Sequence, residues 1–130
     1  MSFRPLRPAS IHPPFARYAH GVEVPANTRL VFCSGQLGIT ADARIPEEAG
    51  AQADLCFAAI AAILAQAGMG LADVIRLNAS VTAREHLPAY MAARDRHMGG
   101  VLVASTLTIV SGFAREIFKV EVEAVAGRQD

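Results

Sequence analysis

Hydrophobic positions along the chain recur with two different periods, and the changes of period mark its elements. "YAHGVEV" and "RLVFCSG" alternate around a Pro-Ala-Asn-Thr segment and read as two short strands joined as a hairpin. From Pro46 to Ala67 the period lengthens. Ala53, Phe57, Ile60, Leu64 and Ala67 return at helical spacing, Glu47 and Glu48 suit the positive end of the dipole, and Gly68 is placed to end the helix. "DVIRLNASVT" alternates again, with Ile75, Leu77, Ala79 and Val81 on one side and Arg76, Asn78, Ser80 and Thr82 on the other. A second helix spans about Glu85 to Met98, with Pro88 in its first turn and Gly99-Gly100 as its stop. "VASTLTIVSGFAREIFKVEVEAVA" closes the chain as two alternating segments around a Ser-Gly turn.

The resulting order is β-β-α-β-α-β-β, an α+β domain. Two helical crossovers joining strands of one sheet imply a mixed sheet with both helices on one face. The other face is then bare. It shows apolar residues whichever way "RLVFCSG" sits, and Ile117, Val125 and Val110 add to the patch. A symmetric homo-oligomer is the natural cover, with Arg, Asn, Lys and Glu side chains making the contact a wet one. In the last strand Glu121 and Glu123 share a face with Ile117, Lys119 and Val125, so an otherwise apolar strand carries two carboxylates on one side.

At 130 residues the chain is long enough for one core, and the apolar share of 52% with mean hydropathy +0.30 is high. Its longest apolar run, Leu55 to Ala65, is shorter than the roughly 18 residues a membrane span needs, so no membrane partner is expected. Four of the seven prolines fall in residues 1 to 16, which read as an irregular N-terminal arm ahead of a single domain over 17 to 130. Those prolines stand where a secretory signal would have its apolar segment, and the chain reads as unexported and cytoplasmic. Twelve basic and twelve acidic residues are mixed along the sequence for a net charge of zero, which leaves no footprint for a nucleic-acid backbone. A small-molecule or protein partner fits better. Cys33 and Cys56 lack paired spacing and read as buried apolar thiols. The four histidines show no metal-binding spacing, and "GMG" at Gly68 follows a helix rather than cradling a phosphate, so no metal or cofactor is expected.

Three features carry candidate chemistry: Tyr18, the Ser34-Gly35 bend and Glu121. Taken one by one they are a strand aromatic, a bend and a solvated strand face. Taken together, "RYAHGVEV", "LVFCSGQLGI", the helix-to-strand link "AGMGLADV" and the closing "FKVEVEAVA" resemble the Rid (reactive intermediate deaminase, YjgF) family over about residues 17 to 126. That resemblance implies the chorismate-mutase-like fold and a homotrimer with ligand clefts between subunits. It also implies hydrolysis of enamines and imines to a carbonyl compound and ammonia. By motif, the glutamate that positions the attacking water is Glu121, the cleft tyrosine is Tyr18, and the backbone bend is Ser34 and Gly35.

One family feature is missing. Deaminating members begin their penultimate strand with Pro-Ala-Arg-Ser and use the arginine to hold the substrate carboxylate. The matching run here is "VAST", which puts Ser105 in the arginine's place and Thr106 in the serine's. A shift of one residue in register brings no basic residue either. The cleft asparagine of the second helix is matched by Tyr90 or Met91, and Arg115 is a substitute cation unless it is only an exposed turn residue paired with Glu116. A hydrogen bond to a charged group contributes about 1.5–3 kcal/mol, so exchanging guanidinium for hydroxyl costs about one to two decades of affinity for an anionic imine. The resemblance thus leaves three readings. One is a deaminase of altered substrate choice, another a non-catalytic trimer that binds a metabolite or a regulatory partner, and the last a ribonuclease, which the neutral charge disfavours.

Overall fold

A computed structural model of the chain describes residues 3–130. Its elements are β1 (Arg4–Leu6), β2 (Gly21–Glu23), β3 (Arg29–Leu37), α1 (Ala49–Ala65), β4 (Val74–Val81), α2 (Leu87–Met98), β5 (Ala104–Ile109) and β6 (Val120–Arg128), with single 3₁₀ turns ahead of β4 and α2. Four strands form the main sheet in the order β3-β6-β4-β5. Only the β4–β5 pair is parallel, so the sheet is mixed, as the two helical crossovers require.

Three sequence-based expectations change. The arm is not wholly irregular, because Arg4–Leu6 pairs antiparallel with Gly21–Glu23 in a separate two-stranded ribbon. That pairing takes β2 away from β3, so the expected hairpin between them does not form; β3 pairs with β6. Nor do the last two strands form a hairpin. β6 lies in the middle of the sheet between β3 and β4, while β5 forms the opposite edge. Alternation along a strand reports which face is buried and is silent about which neighbour it pairs with.

One face of the sheet carries the core. Ala49, Ala53, Cys56, Phe57, Ile60 and Leu64 form the buried stripe of α1, and they pack against Leu77, Ala79 and Val81 of β4 and Val120, Val122, Ala124 and Ala126 of β6. Each large side chain buried in this way contributes about 1.5–3 kcal/mol. α2 adds Tyr90, Ala93 and Met98 to the same cluster. α1 ends where anticipated: Gly68 adopts φ +70, and the Met69 N–H donates to the Leu64 carbonyl at 2.9 Å. Arg29 and Arg128 donate to the Ala67 and Gly68 carbonyls just beyond the helix, placing positive charge at its negative end.

The start of β6 is set by a residue that periodicity alone does not single out. Gln52 is fully buried on the α1 stripe, and its side chain serves three backbone groups: Nε2 donates to the Pro46 and Ile117 carbonyls at 2.8 Å each, and Oε1 accepts from the Lys119 N–H at 2.8 Å. Because Ile117 and Lys119 spend their backbone on Gln52, the strand begins at Val120, three residues later than alternation suggests. Gly38 makes room for this anchor. A Cβ there would lie 2.5 Å from Gln52 Cα.

The opposite sheet face has no helix over it. Phe32 is 73% exposed there, and Leu30 is exposed as well; Ile109 pairs with Val81 and so belongs to the helix side of the edge strand, and Ile117 lies in the turn before β6. Among the described residues no helix is long and apolar enough to cross a membrane.

Candidate functional site

The residues singled out in the sequence fall into two clusters at opposite sides of the sheet. The first forms where β3 meets β6. Cys33 pairs with Ala124 and Gln36 with Val122, so Ser34 and Gly35 together oppose Glu123. Two residues against one make a β-bulge, which bends the strand and re-aims its backbone. Gln36 closes the bend by donating from Nε2 to the Ser34 carbonyl at 2.9 Å. Ser34 is exposed there, and Gly35 is half-buried.

Gly35 is glycine because Glu121 occupies the space over it. A Cβ on residue 35 would stand 2.7 Å from Glu121 Cδ and 2.9 Å from Oε1. The half-buried Glu121 carboxylate is therefore laid across the bulge. Beneath it, on the helix side, the buried Cys56 thiol donates to the Gln36 carbonyl at 3.1 Å. Burial, with a smaller contribution from the Glu121 charge, pushes this thiol up to about 12. Cys56 is thus a neutral donor supporting the bulge and not a nucleophile. Cys33 is likewise buried and free, and burial raises its pKa too.

Glu123 differs from its neighbour two residues away. It is exposed, accepts a 2.8 Å hydrogen bond from Asn78 Nδ2, and lines a cavity of ≈ 240 Å³ on the bare sheet face with Phe32, Ser34 and Arg76. The two carboxylates therefore stand in different surroundings.

The second cluster lies along β5. Ala19 forms a parallel bridge with Ala104, its N–H donating to the Val103 carbonyl at 2.9 Å, and this lays the segment around Tyr18 along the outer edge of β5. Tyr18 is half-buried, and its hydroxyl accepts from the Phe15 N–H at 3.2 Å. Ser105 pairs with Leu77 and so sits on the helix side of the sheet, whereas Thr106 pairs with Asn78 on the bare side and accepts from Arg76 Nη2 at 3.0 Å. The adjacent residues Ser105 and Thr106 thus point to opposite faces.

Within one chain the clusters do not meet. With strands spaced about 4.8 Å apart, β5 and β3 are separated by about 14 Å across the sheet. The structure brings Gly35, Ser34 and Glu121 together, and it brings Tyr18 to the edge that carries Ser105, without joining the two groups. Neither residue matched to the cleft asparagine reaches a cleft: Tyr90 is fully buried beside Phe57, with ring centroids 6.1 Å apart and its hydroxyl without a hydrogen-bond partner among the described residues, and Met91 packs against the core. The Arg115 guanidinium lies 5.6 Å over the Phe118 ring, a cation–π contact in the loop before β6. Among the described residues no group of three or more histidine, cysteine, aspartate or glutamate side chains could hold a metal ion.

Comparison with known proteins agrees with this architecture. The family model described as Endoribonuclease L-PSP matches residues 9–127. A crystal structure of a Rid-family protein of unknown function from Yersinia pestis is 27% identical, with a TM-score of 0.83 over 97% of this chain and 98% of that one. RidA from an Antarctic Psychrobacter species is 26% identical, with a TM-score of 0.70 over 97% and 98%. A Mycobacterium tuberculosis member of the YjgF family is 25% identical, with a TM-score of 0.68 over 84% and 85%. Among curated proteins none matches the chain. On the span of the family match and the shared fold, the chain belongs to the endoribonuclease L-PSP family, the family also called Rid or YjgF.

Proposed function

We propose that the protein is a hydrolytic deaminase of a reactive enamine or imine, acting in clefts between copies of itself in a homotrimer. The observation that carries this reading is the Glu121 carboxylate held across the Ser34-Gly35 bulge. A carboxylate placed beside re-aimed backbone suits general acid–base chemistry on water. Glu121 takes a proton from water as the water oxygen bonds to the imine carbon, and hands that proton on to the nitrogen to give a carbinolamine and restore its carboxylate. Collapse of that intermediate forms the carbonyl and expels ammonia. The backbone N–H groups of the bulge stabilise developing negative charge, and Tyr18 from a neighbouring copy closes the cleft.

Charge argues for hydrolysis over passive binding of a carboxylate metabolite, because an anion in such a pocket costs desolvation and repels the ligand. The second reading, a trimer that binds a small metabolite or regulatory partner without turning it over, is favoured by Ser105, which leaves this stretch of β5 without a cation. Ribonuclease action, which the family's name mentions, finds no support in a chain of zero net charge.

The test generates 2-iminopropionate and longer imines with an amino-acid oxidase and follows their loss with and without the protein. The wild-type protein is expected to accelerate the loss of at least one of them. Glu121→Gln is expected to slow that reaction by about 10²–10⁴-fold. Identical decay of every imine in the presence and absence of the protein would leave the binding role.

A further inference from the structure

The arginine missing from β5 raises the question of which cation could serve a ligand at Tyr18. Arg17, its neighbour, donates Nη1 to the Gly99 carbonyl at 3.0 Å. Arg76 is held by Thr106 on the bare face, and Arg115 lies over Phe118. Arg7 is different. It is exposed, and among the described residues it makes no hydrogen bond or ion pair. It lines a groove of ≈ 480 Å³ under the arm, together with Ile11, Pro13, Pro14 and His20.

His20 connects this groove to the Tyr18 cluster. A carbonyl oxygen can only accept, so the 2.8 Å contact between His20 Nε2 and the His12 carbonyl places a proton on Nε2 and pins the arm to the ring. The same ring stands edge-on to Tyr18, with centroids 6.5 Å apart at 88°. His20 directly follows Ala19, whose bridge to Ala104 ties this segment to the edge of β5. The groove and the Tyr18 side of the candidate cleft therefore share the imidazole as a common wall.

We infer that the arm groove is a carboxylate-binding subsite, in which Arg7 holds the far end of a ligand whose reacting group lies at Tyr18. Proline rings and Ile11 give the groove apolar walls, and the single unengaged guanidinium at its rim supplies a bidentate partner for a carboxylate. The fitting ligand has an apolar chain with its carboxylate several bonds from the reacting carbon. It lacks the adjacent carboxylate that an arginine at position 105 would select. His20 is a positioning residue, since it holds the arm through its backbone contact. That the reacting group is an imine rests on the proposed deaminase function; the anion subsite does not.

Binding tests this apart from turnover. Titration calorimetry with 5-oxohexanoate and with its methyl ester, on wild-type protein, Arg7→Ala, Arg7→Lys and Glu121→Gln, is combined with NMR of the histidine ring signals. The expected result is at least tenfold tighter binding of the free acid than of the ester, about 1.4 kcal/mol, with the His20 signals moving on binding. Arg7→Ala should erase that preference, Arg7→Lys should keep part of it, and Glu121→Gln should leave it in place. Equal binding of acid and ester by the wild-type protein, no binding of either, or an unchanged preference in Arg7→Ala overturns the subsite. If Arg7-dependent binding is found while no imine is turned over, the deaminase reading fails and the subsite stands. If an imine carrying a carboxylate several bonds from its C=N carbon is turned over with a KM indifferent to Arg7→Ala, the reverse holds.

Discussion

Gly35 shows how one missing methyl group can matter more to chemistry than to folding. The atoms a Cβ would meet are the far end of a flexible side chain, Glu121 Cδ and Oε1, not backbone. Gly35→Ala is therefore expected to fold with a thermal midpoint within a few degrees of wild type, a stability change of about 1 kcal/mol or less. It should nonetheless lose most of any Glu121-dependent activity, because the carboxylate must leave the bulge. Paired melting curves and imine assays would separate the two effects. Cys56 gives a second expectation at this scale. Its folded-state pKa is raised from 9.0 to about 12, so the folded protein keeps a proton that the unfolded chain gives up in that interval. Its contribution to stability is complete below pH 9.0 and drains away as pH rises toward about 12. Urea denaturation across that range should show a decline that is shallower in Cys56→Ala. The roles matched to Glu121, Tyr18, Ser34 and Gly35 came from motif resemblance. What could not be read from the sequence was that Gly35 exists to admit Glu121, because nothing in local pattern links positions 86 apart.

Among the elements, α1 was the most legible, since seventeen helical residues with one buried stripe announce themselves by period. Strand partners were not. β2 left β3 for β1, and β6 inserted between β3 and β4, because pairing is decided by long-range packing and not by alternation. Gln52 is the informative exception on α1. A polar residue on an apolar stripe signals an internal hydrogen-bond role, yet its acceptors and donor come from Pro46, Ile117 and Lys119, which helical periodicity does not reach. Gln52→Ala strands these three backbone groups in a buried site and should destabilise the fold by roughly 3 kcal/mol. The released segment should also loosen the start of β6, one residue before Glu121. Hydrogen exchange at Lys119 and Val120 is the direct measurement, and protection equal to wild type would show that Gln52 is not the anchor.

At the scale of the molecule, the bare face of the sheet accounts for the exposure of Phe32 and Leu30, and the mixed polar and apolar side chains around the cavity lined by Glu123 and Asn78 suit a hydrated contact with identical chains. Sedimentation across a dilution series measures whether the proposed homotrimer forms, and a monomer at every concentration would remove the shared clefts. The separation of the two clusters across the sheet has a sharper consequence for genetics. If each cleft draws its carboxylate from one chain and its aromatic edge from the next, a Glu121→Gln chain and a Tyr18→Ala chain are each defective in every cleft alone. Unfolded together and reassembled at equal amounts, they should restore about a quarter of the wild-type clefts, since each sound half then has an even chance of facing the other. Two inactive preparations would complement one another in the same tube.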